Sequence, residues 1–192
     1  MEPEFVETVE YWRFPHKTLT TAVELQRERV ERRVRSGDRK GLLYDVLSGA
    51  ILTAFAFEAT LNLVGHHSFG DEWQERRSSR DKVKCLGKAF QLDVDLGQGP
   101  LKTLMRLMDL RNAIAHAKPD IGVVERRIAA KEDSDMFQDL RIPSLKHVTP
   151  DFLFEAVEAL DAFSTNLLES AGISEWEATN RSTGRIERRP RV

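Results

Sequence analysis

The stretch from Arg39 to Val64 constrains the fold more than any other part of the chain. Leu42, Leu43, Val46, Leu47, Ala50, Ile51, Ala54, Phe55, Phe57, Leu61 and Val64 leave little of a helical circumference polar. A helix that is apolar nearly all round must be covered on every side. The rest of the chain therefore has to supply neighbours with a single apolar stripe each. Gly65-His66-His67 reads as the end of this central helix.

Four segments meet that demand. Lys17 to Arg35 places Leu19, Ala22, Val23, Gln26, Val30 and Val34 at three- and four-residue steps, with Thr18 as the expected cap and Ser36-Gly37 as the stop. Asp71 to Phe90 reads as a helix with a basic outer face, anchored by Trp73, Val83, Leu86 and Phe90. After the Gly97-Gln98-Gly99-Pro100 turn, with Pro100 at a first helical position, Leu104, Met105, Met108, Ile114 and Ala115 mark a fourth helix that Pro119 is expected to close. Asp151 to Ala171 is the fifth, stopped by Gly172. The expected fold is an all-α, up-and-down antiparallel bundle of about five helices with no sheet. Residues 1–16 form an N-terminal arm in which Glu4 to Phe14 reads as a short strand or irregular segment. The bundle spans 17–175. The Arg-rich tail, 176–192, has too few large apolar side chains to bury and is expected to be disordered.

Of 192 residues only Cys85 is a cysteine, which excludes an intramolecular disulfide framework and a cysteine-rich zinc site. No uninterrupted apolar run approaches the ~20 residues a bilayer needs, and the acidic start is unlike a signal peptide, so a cytoplasmic protein without membrane contact is expected. The net charge of −2 hides a basic segment at residues 27–40, a second at 76–88, and an acidic one at 150–177 that lacks Lys and Arg. Two readings fit: a basic surface facing an anionic polymer, or helices of opposite charge neutralising each other.

The chemistry concentrates in Leu107-Met108-Asp109-Leu110-Arg111-Asn112-Ala113-Ile114-Ala115-His116-Ala117-Lys118-Pro119. Three strongly polar side chains stand near the end of an otherwise apolar helix. Asn112 and His116 lie one turn apart on one face, and Arg111 sits about 140° from His116, within reach of a long side chain. An imidazole able to exchange a proton beside a fixed cation suits reactions at phosphate. The same residues admit a purely structural account. Arg111 would pair with Glu58, an acid in the most apolar helix that needs a partner there, while Asn112 and His116 bond to backbone at the helix end. Glu58 and Asn62, one turn apart, are candidates to set the orientation of Arg111.

The run Arg111-Asn112-Ala113-Ile114-Ala115-His116 resembles the signature of the HEPN superfamily of helical domains: an Arg, a polar residue, then a His, with four to six residues between Arg and His. Upstream, Ala54-Phe55-Ala56-Phe57-Glu58-Ala59-Thr60-Leu61-Asn62 is similar to the Ala-Phe-Glu-Ala helix of many bacterial members. The resemblance covers about Gly41 to Gly172. It implies a homodimer through the motif helices, with two Arg–His pairs in one cleft that cuts RNA without metal and leaves a cyclic phosphate. His116 would then move protons, Arg111 would stabilise charge on phosphorus, and Asn112 would orient phosphate or His116. Arg76, Arg77, Arg80 and Lys118 would contact RNA. No cofactor or metal is implied, and an antitoxin is an expected partner of a toxin-type member. The alternative is a non-catalytic helical domain that dimerises or binds a nucleotide or RNA.

Other residues carry less. His66-His67 cannot both face one way on a helix and reads as a polar terminus, without the ligand spacing of a zinc site. Cys85 has no local partner to make it a nucleophile, and no Gly-rich phosphate loop occurs. Trp12, Trp73 and Trp176 read as packing anchors, Trp73 also lying beside Arg76 and Arg77.

Overall fold

The computed structural model describes residues 5–13, 15–116, 145–174 and 182–190. Among these residues five helices build an all-α bundle: α1 (His16–Ser36), α2 (Leu42–Phe69), α3 (Ser79–Phe90), α4 (Gly99–Ala115) and α5 (Pro150–Ser170). Helix α2 is the hub, packed against the other four. Val46, Ala50, Ala54, Phe57, Leu61 and Val64 on α2 are sealed from solvent. Phe57 meets Phe163 of α5 edge to face, with centroids 5.6 Å apart. The buried hydroxyls of Thr53 and Thr60 donate to the carbonyls of Gly49 and Ala56 one turn back, so they enter the core already satisfied.

Sequence and helix ends agree where turn chemistry is strong. Gly37 adopts φ 72°, Asp38 N–H reaches the Arg33 carbonyl and Gly37 N–H the Val34 carbonyl, the paired bonds that close a helix at a glycine. Arg33 then ties the α1–α2 turn: its guanidinium pairs with Asp45 and Asp38 and donates to the Lys40 carbonyl. Thr149 caps α5, accepting from Phe152 N–H.

Several expectations need correction. Thr18 lies inside α1, whose cap position is Pro15. Helix α2 does not stop at Gly65 but continues to Phe69. A Cβ at Gly65 would stand 2.1 Å from the Trp73 ring, so this glycine is a contact surface rather than a stop. The segment beginning at Asp71 is first a single 3-10 turn (Gly70–Glu72) and a loop. Helix α3 starts only at Ser79, where Ser78 accepts from Asp81 N–H and donates to its carboxylate. Helix α4 ends at Ala115, before Pro119. By length and composition alone Leu42–Glu72 is long and apolar enough to cross a membrane, as the core helix of a bundle also is, and 56% of its most apolar stretch is buried inside the protein.

The expected absence of a sheet is also overturned, and so is the disordered tail. Strand β1 (Phe5–Arg13) pairs antiparallel with β2 (Ser182–Pro190), in register from Phe5 opposite Pro190 to Arg13 opposite Ser182. The tail gains order from backbone hydrogen bonds, which need no apolar side chains of its own. Residues 117–144 and 175–181, with Lys118, Pro119 and Trp176 among them, lie outside the described residues.

Candidate functional site

Pro100 opens α4 within its first two positions, and Leu101, Leu104, Met105, Leu107, Met108 and Leu110 bury one side of it. That anchoring fixes the last turn at the edge of α2. Asn112 and His116 emerge there exposed, His116 ending the helix with its N–H on the Asn112 carbonyl at 3.0 Å. Arg111 turns back toward α2. Its Nη2 donates to Glu58 Oε2 at 2.5 Å, its Nη1 to Asn112 Oδ1 at 2.8 Å, and its guanidinium carbon lies 5.7 Å from the Phe55 ring centre. About a quarter of the Arg111 side chain is exposed.

Glu58 has a second obligation, which the sequence reading missed. Lys82 of α3 is wholly buried, and its Nζ donates to Glu58 Oε1 at 3.3 Å. A buried ammonium requires a counter-charge, so one carboxylate bridges two cations from two different helices. The signal was present: Lys82 falls on the Ser79–Lys82–Leu86–Phe90 face of α3, the face that turns inward. The basic outer face assigned to α3 thus loses one member to the core.

The remaining candidates separate. Asn62 does not reach Arg111: its Oδ1 accepts from Trp73 Nε1 at 3.2 Å, helping to hold the loop before α3. Trp73 is buried and stacks on Phe69, centroids 5.9 Å apart, as a packing anchor. Arg80 is engaged by both carboxylate oxygens of Asp109, at 2.9 and 3.1 Å, and so clamps α3 to α4. Arg77 bonds Gln74 at 2.7 Å, and Arg76 is exposed nearby.

A cleft of about 650 Å3 adjoins the motif. Phe55, Glu58, Ala59, Asn62, Leu63 and His66 line it from α2, Pro15 and Leu19 from the start of α1, and Glu75 from the loop. His66 Nε2 pairs with Glu75 across its rim. Phe55 and Glu58 belong both to this cleft and to the surroundings of Arg111, which makes the two continuous. Among the described residues, no group of three or more His, Cys, Asp or Glu side chains is placed to hold a metal ion.

At the level of class, this is an all-α bundle carrying an Arg–Asn–His constellation at the exposed end of its fourth helix. Comparison with family models, curated proteins and solved structures finds no match for the chain.

Proposed function

We propose that the protein is a HEPN-type endoribonuclease that acts without metal as a homodimer through α4, in a cytoplasmic toxin or defence role with an antitoxin as partner. The observation that carries the reading is the ending of α4: an exposed imidazole and amide beside a guanidinium held in place by Glu58. In this mechanism His116 takes the proton from a ribose 2′-hydroxyl, and the 2′-oxygen attacks phosphorus. The P–O5′ bond breaks, and the leaving oxygen receives a proton from His116 of the partner subunit. Arg111 stabilises the added negative charge on the phosphorane. The products are a 2′,3′-cyclic phosphate and a 5′-hydroxyl.

The test is incubation of single-stranded RNA with the full chain in a chelator. Cyclic-phosphate products are expected, with rates reduced by about 100-fold or more in His116→Ala and Arg111→Ala proteins of unchanged helical content. Cleavage that survives both substitutions defeats the reading. A second reading has its own support: Glu58 and Asn112 already engage both terminal nitrogens of Arg111, as in a structural ion pair. On that reading the chain is a non-catalytic domain that dimerises or binds a nucleotide or RNA, and the chelator experiment yields no products.

A further inference from the structure

The cleft beside Arg111 has a donor and acceptor pattern of its own. The indole N–H of Trp73 only donates, so the Asn62 atom facing it must be Oδ1. That fixes the Asn62 amide the other way round: its Nδ2, which makes no hydrogen bond to a described residue, remains as a donor on a residue that lines the cleft. Glu75 supplies an acceptor. One of its oxygens is taken by His66, while the carboxylate stays largely exposed. Glu58 adds a second carboxylate at the end nearer Arg111. Leu19, Ala59 and Leu63 give the cleft an apolar lining, and Phe55, a residue 42% exposed, stands at the boundary with the motif.

A cleft with a mainly apolar lining and an exposed aromatic residue suits an unstacked base. Among the four RNA bases, only guanine offers two adjacent donors, N1–H and N2–H, beside an acceptor, O6. A carboxylate and an amide donor complement that edge. Adenine presents a donor beside an acceptor, cytosine one donor and two acceptors, uracil one donor between two acceptors.

We propose that this cleft is a guanine pocket, in which the free oxygen of Glu75 accepts from N1–H and the oxygen shared with His66 accepts from N2–H through its second lone pair, Asn62 donates to O6, and Phe55 stacks on the ring. The proposal rests on the ribonuclease reading for its biological use: it makes the nucleotide next to the scissile phosphate a guanosine.

The full-length chain is titrated with guanosine, adenosine, cytidine and uridine 3′-monophosphates by calorimetry. Guanosine monophosphate is expected to bind about tenfold tighter than the others or better. Glu75→Gln, at an exposed position, should bring the four to within about threefold of each other, because its amide replaces an acceptor with a donor. Phe55→Ala should weaken all four by about tenfold. Equal binding of the four, no binding of any, or a guanosine preference that survives Glu75→Gln overturns the proposal. The same proteins assayed on RNA separate the two readings. Guanosine-selective binding without cleavage sinks the nuclease and leaves the pocket, whereas cleavage after all four bases with equal rates sinks the pocket and leaves the nuclease.

Discussion

Lys82 makes Glu58 indispensable before any question of chemistry arises. An ammonium with none of its side chain exposed cannot be hydrated, and the carboxylate of Glu58 is the charge that compensates it. Glu58→Gln should therefore destabilise the fold by about 3 kcal/mol, and Glu58→Gln combined with Lys82→Met should recover much of that loss. Chemical denaturation of the single and double variants measures this; a double variant no more stable than Glu58→Gln would refute the coupling. Two other carboxylates have opposite signs. The Arg33 guanidinium, then the Lys40 N–H, hold Asp38 below its ordinary value of 3.8. Its contribution is present above 3.8 and is lost as pH falls through the lowered folded value. Asp161 is pushed above 3.8, first by partial burial and then by Glu24 of α1, with Glu158 adding and Arg27 opposing. Its contribution is full below 3.8 and is lost as pH rises through the raised folded value. Thermal unfolding against pH should show Asp38→Asn losing stability relative to wild type only above that window, and Asp161→Asn gaining it there. Differences that do not vary with pH contradict both assignments.

At the scale of elements, Gly65 decides how α2 meets the loop before α3. Trp73 packs so closely on this glycine that an added methyl would occupy ring atoms, at 2.1 and 2.2 Å. Gly65→Ala should cost about 1–3 kcal/mol by overpacking, although alanine is the better helix former. A melting temperature equal to or above wild type would show that Trp73 can move aside. The same position marks how far the elements were legible. Apolar periodicity located the five described helices, because burial of α2 leaves its imprint on every neighbour. It misplaced the end of α2, since a glycine that admits an indole is indistinguishable in sequence from one that ends a helix. The true start of α3 is written in Ser78-Ser79-Arg80-Asp81, a capping pattern that the helix expected from Asp71 runs straight through. The pairing of β1 with β2 was not legible: Ser182–Pro190 has no apolar alternation, and its partner lies at the other end of the chain. At the site, the Arg111–Glu58 pair followed from the need of a lone acid in an apolar helix, whereas Asn62 was misassigned because the Trp73 indole competes for its oxygen.

For the molecule as a whole, charge is less self-cancelling than neighbouring basic and acidic helices suggest. Arg29 and Arg33 spend their charge on Asp45, within the α1–α2 hairpin. Among the described residues, α1 and α5 share one ion pair, Arg27 with Glu158 at 3.8 Å, which is weak at that exposure. Charge at the surface is therefore left for partners, and the proposed homodimer has to form where charge does not oppose it. The end of α4 offers such ground, because Ala113 and Ala115 are exposed and small, and Ile114 is partly buried beside them. Small side chains let two helices approach closely, so a bulky charge at Ala113 would prevent contact without touching the core. Ala113→Glu should leave the unfolding of the subunit within about 0.5 kcal/mol of wild type. Sedimentation should shift from the mass of two 22.0 kDa chains to that of one. RNA cleavage should fall with the dimer fraction, since each half would then lack the second imidazole that protonates the leaving oxygen. A variant that still sediments as a pair refutes the α4 contact, and a wild-type chain that sediments as a single subunit removes the composite site on which the two-imidazole mechanism depends.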